Sequence, residues 1–235
     1  NQSINQSINQ SINQSINQSI NQSINQSINQ SINQSINQSI NLIDLNSNFH
    51  SWKAGIALAV HTTNSTIDSS GHFHNTYSKI GDSLHKLKYK SDYSQLDFLA
   101  NAFCSAINIW WATKNRNIDV IIPAPFSKLR EIQPVYELAK LVSKKIGTPV
   151  DLDFIRKIKE TEQLKSIQDL EERRSILKGA FSIRDSQIYR SKNILILDDL
   201  FRSGGTLNEI SELLYREAAV KDVYIMTLTK TRVNK

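Results

Sequence analysis

Two adjacent carboxylates, Asp198 and Asp199, follow four branched apolar residues, Ile194-Leu195-Ile196-Leu197. Leu200 and Phe201 then lead into a short loop, Arg202-Ser203-Gly204-Gly205-Thr206. Neighbouring aspartates at the end of a buried strand repel each other and need hydroxyls, cations or a metal to offset the repulsion. The loop is made of hydroxyls and glycines, and a helix is expected beyond it. Leu207, Ile210 and Leu214 repeat on one helical face, and Thr206 to Glu209 fits a capping box. A strand–loop–helix of this kind aims backbone N–H groups and a positive dipole end at the loop, where a phosphate binds. Acids beside an anion site suit a sugar phosphate, with its hydroxyls on the carboxylates and its phosphate on the loop.

A second candidate loop follows Val120-Ile121-Ile122, which also reads as a buried strand. It runs Pro123-Ala124-Pro125-Phe126-Ser127-Lys128-Leu129-Arg130. Ligands in open α/β sheets sit beyond the C-terminal ends of the strands. Lys128 and Arg130 therefore stand where a second anion would be held. The Gly-x4-Gly-Lys-Ser/Thr and Gly-x-Gly-x-x-Gly phosphate signatures are absent, and so is a Gly-x-Ser-x-Gly elbow. A receiver-type acidic pocket carries its pair on the first strand, whereas here the pair ends the penultimate one.

The elements that must position these residues alternate. Gly55 to Val60 reads as a strand, with His61 to Ser65 and Ser69 to Gly71 as turn material. His72-Phe73-His74 reads as loop or edge strand rather than as a metal pair. Tyr77, Ile80, Leu84 and Leu87 form a helical stripe, with His85, Lys86, Lys88 and Lys90 off it, read as a solvated face in preference to a basic rim for an anionic substrate. Leu96 to Trp110 marks a longer amphipathic helix, and Trp110-Trp111 reads as core. Pro134 opens the next helix and Gly147 closes it. Leu152 to Ile158 and Ala180 to Ile183 are further strands. Between them Lys157 to Lys178 reads as a charged loop with a short helix at Leu170–Leu177, a lid that would carry Lys159, Lys165, Arg173 and Arg174. Val223 to Leu228 is the last strand. This alternation predicts an α/β fold with a mainly parallel central sheet flanked by helices.

Residues 1–40 are ten copies of Asn-Gln-Ser-Ile. One isoleucine in four advances about 40° per repeat around a helix, so no apolar face persists. Disorder is the expectation from such a polar tract. The tetranucleotide AATC, read three times over, spells the repeat, which looks like a translated microsatellite. The only methionine is Met226, so the coding start is expected upstream or at a non-AUG codon near Leu42. The expected division is 1–41 repeat, 42–95 N-terminal hood and 96–235 core. The repeat is uncharged, so the net charge of +6 belongs to the remainder and fits an anionic ligand. The lone Cys104 precludes an intramolecular disulfide and fits a reducing compartment. No run approaches the ~20 apolar residues of a membrane span, and a cytoplasmic location is the default expectation.

Ile194 to Thr206 resembles the ribose-phosphate signature of type I phosphoribosyltransferases. Leu87-Lys88-Tyr89, Asp119 to Phe126, Thr161-Glu162-Gln163, Glu172-Arg173 and Leu177 to Phe181 fall in the order of the ComF-like branch, and the likeness spans roughly Gly55 to Arg232. The resemblance implies a type I phosphoribosyltransferase fold with a small hood, binding phosphoribosyl pyrophosphate with Mg²⁺. Asp198 and Asp199 would hold the ribose hydroxyls, and the loop Leu200 to Thr206 the 5′-phosphate. Ala124, Pro125, Phe126, Ser127, Lys128 and Arg130 would take the pyrophosphate, with Lys128 the catalytic cation beside the two acids. Mg²⁺ would arrive with the substrate rather than by direct protein ligation, with contact to Asp198 and Asp199 left open. Pyrophosphate would be displaced at C1′ onto an acceptor that the sequence does not identify. The alternative is a non-catalytic ComF-like protein acting in DNA uptake or processing through its ligand site or a partner. Nucleic acid is a less favoured ligand, because the cations are scattered without interleaved aromatics. Oligomeric state stays open, a homodimer included. Two departures stand out: Arg202 replaces a loop hydroxyl, and Arg130-Glu131-Ile132-Gln133-Pro134 replaces the Arg-Gly-Phe-Asn-Gln of ComF-like chains.

Overall fold

The computed structural model describes residues 2–112, 117–126, 128–159 and 170–232. The chain divides into two compact units, Asn1–Gln38 and Ser39–Lys235. The first is built on one helix, α1 (Gln2–Ser39), and not on the disordered tail expected from composition. Helical hydrogen bonds are local and need no buried face, and no Gly or Pro interrupts the repeat. The absence of an apolar stripe is as expected: Ile8, Ile12, Ile16, Ile20, Ile24 and Ile28 all stay 49–50% exposed.

The second unit begins with β1 (Ile43–Asp44) and β2 (Ala54–Val60), followed by a ribbon of β3 (Thr62–Ile67) and β4 (Phe73–Tyr77). The helices α2 (Lys79–Tyr89) and α3 (Gln95–Ala112) precede β5 (Val120–Pro123) and α4 (Pro134–Ile146). Then come β6 (Ile155–Lys157), α5 (Leu170–Leu177) and β7 (Phe181–Ile183). The chain finishes through β8 (Asn193–Phe201), α6 (Gly205–Ala218) and β9 (Asp222–Lys230).

The main sheet has the order β1-β2-β9-β8-β5. All its pairs are parallel except the antiparallel edge β1–β2. β6 and β7 form a separate antiparallel pair. Ile194, Leu195, Ile196 and Leu197 are 0% exposed, and full burial of such a side chain is worth about 1.5–3 kcal/mol. Ile194 and Ile196 share one buried cluster with Leu207, Ile210 and Leu214 of α6. On the opposite face the ring of Tyr224 meets Trp110 of α3 at 6.1 Å. Both faces are thus covered, which is why these strands are continuously apolar.

Two local expectations change. Thr62 to Ser65 is strand rather than turn, because the hairpin tip lies further on, where Gly71 takes φ +82. The proposed hood of 42–95 does not stand apart as a whole, since β2 lies within the main sheet beside β9. Only the β3–β4 ribbon forms its own sheet there. The expected helix α4 does end at Gly147, whose φ of +76 a side chain would strain.

Candidate functional site

The acids lie at the C-terminal end of β8 but still within it. Asp198 pairs with Thr227, Leu200 with Thr229 and Phe201 with Lys230. The strand therefore outlasts its apolar run, and the connection to α6 shrinks to Arg202, Ser203 and Gly204. Asp199 Oδ2 accepts a hydrogen bond from Lys88 Nζ at 2.8 Å, with both side chains about one-sixth exposed (15% and 16%). Asp198 Oδ1 accepts from the Asp199 N–H at 2.8 Å. Burial, reinforced by the neighbouring Asp199 charge, pushes the Asp198 carboxyl up to about 7. The pair is asymmetric: Asp199 is bonded to the Lys88 amine, while Asp198, with no cation of its own among the described hydrogen bonds, exchanges its proton near neutral pH.

Sequence reasoning preferred a solvated face for Lys88 over a basic rim, and the structure turns it to Asp199 instead. Lys88 sits four residues after Leu84 and next to Leu87, both buried, so it borders the core-facing stripe of α2. That one-turn offset from the apolar stripe was the available signal. The ordering of α2 itself is conventional. Ser78 caps it, its Oγ accepting from the Gly81 N–H at 3.0 Å. His61 stands close by, with Nδ1 3.1 Å from Thr229 Oγ1. Burial, then the charge of Lys88, lowers its pKa.

The helix start differs from the expected capping box. The N-cap is Gly204, in the left-handed region at φ +79, and no side chain caps the helix. Thr206 lies one residue inside α6. Glu209 accepts instead from the Gly179 N–H at 2.9 Å. The Asn208 N–H returns to the Gly204 carbonyl at 2.8 Å, so the N–H groups of Gly205, Thr206 and Leu207 precede the first helical bond. An uncapped N-terminus with a glycine in the left-handed region leaves those donors to an anion.

Across the sheet, β5 runs in register with β8, Pro123 opposite Leu197, and the Ala124 N–H donates to the Leu197 carbonyl at 2.8 Å. The loop that follows shares a cleft of about 1380 Å³ with the β8–α6 connection. Ala124, Pro125, Phe126, Lys128 and Arg130 line it, as do Asp198 and Asp199 and every residue from Leu200 to Thr206. The structure thus brings together the site residues expected from sequence, save Ser127, which lies outside the described residues. Leu200 and Phe201 reach the cleft from the strand rather than from a loop. Of the expected lid, α5 forms over Leu170–Leu177, and Lys159 Nζ donates to the Lys178 carbonyl at 3.1 Å. Thr161-Glu162-Gln163 and Lys165 fall outside the described residues, as do the side chains of Arg173 and Arg174.

Sequence reasoning also missed the segment before β2, where Ser47, Phe49 and His50 line the same cleft. No motif marks it. Among the described residues, no group of three or more His, Cys, Asp or Glu side chains is placed to hold a metal ion, and no helix is long and apolar enough to cross a membrane.

Residues 134–233 match the family model described as phosphoribosyl transferase domain. Competence protein F of Haemophilus influenzae is 29% identical over 117 residues, covering 48% of this chain and 50% of that protein. The chain therefore spans about half the length of this curated relative. Among solved structures, an adenine phosphoribosyltransferase aligns over 70% of this chain and 84% of its own, at 15% identity and a TM-score of 0.40. The Saccharomyces cerevisiae adenine phosphoribosyltransferase, solved with an imino-altritol bisphosphate and adenine, aligns over 84% and 89%, at 15% identity and a TM-score of 0.41. The family match covers β8, its acids, the loop and α6, all of which line the cleft. The chain thus resembles the type I phosphoribosyltransferases through its domain at residues 134–233 and, among them, the branch of competence protein F.

Proposed function

We infer that the chain binds 5-phosphoribosyl 1-pyrophosphate together with Mg²⁺ and displaces pyrophosphate at C1′ onto an acceptor. The observation that carries this reading is the placement of Asp198 and Asp199 directly before an uncapped helix N-terminus, in one cleft with Lys128 and Arg130. Asp199, fixed by Lys88, would accept from a ribose hydroxyl. Asp198 would accept from or donate to the other, according to its protonation. The N–H groups of Gly205, Thr206 and Leu207 and the hydroxyls of Ser203 and Thr206 would hold the 5′-phosphate. Lys128 and Arg130 would hold the pyrophosphate and absorb charge as it leaves.

The donor set agrees with a Mg²⁺ ion brought in by the substrate. Carboxylate oxygens suit this hard cation, which keeps waters and substrate phosphates among its ligands. Lys88 already occupies one oxygen of Asp199, which leaves the remaining carboxylate oxygens of the pair to meet such an ion alongside the substrate's own phosphates. When bound, the ion supplies electrostatic stabilisation of the leaving pyrophosphate.

The test is pyrophosphate release from phosphoribosyl pyrophosphate and Mg²⁺, measured across a panel of purine, pyrimidine and other nitrogen acceptors. Release that depends on one acceptor and disappears in Asp199→Asn supports transfer. Similarity to competence protein F favours a second reading, in which the site binds its ligand without turnover and acts in DNA uptake through a partner. Ligand binding with no release from any acceptor would select that reading.

A further inference from the structure

The segment from Ser47 to Trp52 is tied to the opening turns of α6. The Ser51 N–H donates to Asn208 Oδ1 at 2.7 Å and its hydroxyl to Glu212 Oε1 at 3.1 Å. Asn208 Nδ2 donates to the same Glu212 oxygen at 2.8 Å. These bonds lock the strap beside the helix N-terminus, and the residue they bring to the cleft wall is His50. Its ring is held on several sides. It stacks on Trp52 at 4.0 Å and 17°, and it meets Phe201 edge-on at 6.0 Å. Nδ1 lies 2.9 Å from Ser47 Oγ. Nε2 faces the N-cap of α6 so closely that a Cβ on Gly204 would come within 2.9 Å of it.

We propose that His50 is a phosphate-binding residue, supplied from outside the strand–loop–helix motif. With the Ser47 hydroxyl donating to Nδ1, the imidazole carries its proton on Nε2 and donates it to an oxygen of the phosphate held by Arg202 to Thr206. A ring wanted only for packing on Trp52 and Phe201 needs no polar edge, yet this one sets Nδ1 beside the Ser47 hydroxyl and Nε2 against Gly204, on the wall of the cleft that the loop lines. Gly204 serves the same arrangement twice. Its φ of +79 admits the turn, and its missing side chain admits the imidazole. The strap thus makes a terminal phosphate, rather than a sugar alone, the group that this end of the cleft selects. The inference rests on the phosphoribosyl reading of the site.

The test uses ribose 5-phosphate as the probe, titrated calorimetrically into the full chain and into His50→Phe and His50→Gln. Phenylalanine preserves the stacking on Trp52 and removes the donor; glutamine restores an N–H near the position of Nε2. The expected result is roughly tenfold or greater weakening in His50→Phe, the size of one charge-assisted hydrogen bond, with binding within about threefold of wild type in His50→Gln. Thermal melts of wild type and His50→Phe should agree, and His50→Gln, which gives up the stacking, is titrated well below its own melting temperature. Binding by His50→Phe equal to that of wild type overturns the proposal. So does an equal loss in both variants, which would make the ring a packing element. Failure of the wild-type chain to bind ribose 5-phosphate would instead overturn the phosphoribosyl reading, and this inference with it.

Discussion

The strands β5 and β8 leave the sheet side by side, and their C-terminal ends differ in how much of each is fixed before any ligand arrives. At the end of β8, each acid has a defined partner: Lys88 for Asp199, the Asp199 N–H for Asp198. The connection to α6 is closed by Gly204 and buttressed by Phe201 and His50. At the end of β5, Ala124 is bonded back to Leu197, but Phe126, Lys128 and Leu129 are exposed. The two ends suit different tasks. A ribose 5-phosphate has fixed shape and is met by preset donors and acceptors. A flexible, highly charged leaving group is met by long cations that adjust to it, at the cost of ordering their side chains.

The largest effect should come from the strain built into the β8 end. Asp198 has its carboxyl raised from an ordinary value of 3.8 to about 7, so the folded state holds a proton that the unfolded state releases. Between about pH 4 and 7 the folded state binds more protons, and stability falls as pH rises through that window. Asp198→Asn keeps the carbonyl oxygen for the Asp199 N–H and removes the penalty. At pH 8 it should be more stable than wild type by up to about 4 kcal/mol, and at pH 4 indistinguishable, as read by urea unfolding at the two pH values. Equal stabilities at pH 8 would mean that the pair is not strained.

Removing Lys88 leaves a largely buried carboxylate without its cation. Lys88→Met should cost about 3 kcal/mol of stability, and Asp199→Asn in the same chain should recover most of it, as a double-mutant cycle would show. Additive losses would deny the pairing. Asp199→Asn alone should weaken phosphoribosyl pyrophosphate binding roughly 10–100-fold, the worth of a hydrogen bond to a charged group. The smallest effect belongs to the β5 end. Lys128→Ala should leave the melting temperature unchanged and weaken binding by only a few-fold, about 1 kcal/mol, with less loss at high salt. A large stability change there would erase the contrast between the two ends.

How much of this was legible in the sequence follows the same divide. The β8–α6 stretch could be read because its constraints are local. Four fully buried residues, two acids and a glycine turn follow one another, and each dictates its neighbour's conformation. Even there the helix start was misread: Thr206 and Glu209 match a capping box, but Glu209 is drawn away to the Gly179 N–H, a tertiary contact that no spacing reveals. The partners of Lys88 and His50 were not legible for the same reason. Lys88 lies 111 positions from its partner Asp199, and His50 reaches Gly204 only because Ser51 is bonded to Asn208, 157 positions away. The repeat failed differently. Its composition predicts no packed face, which is correct, but composition says nothing against hydrogen bonds that a helix makes with itself.

The central claim is that the cleft between β5 and the β8–α6 connection holds phosphoribosyl pyrophosphate through Asp198 and Asp199. Calorimetric titration of phosphoribosyl pyrophosphate with Mg²⁺ into the wild-type chain and into the Asp198→Asn/Asp199→Asn double variant tests it most directly. Saturable 1:1 binding to wild type, reduced beyond detection in the folded double variant, is the predicted result; absence of binding to wild type, or unchanged binding to the double variant, contradicts it.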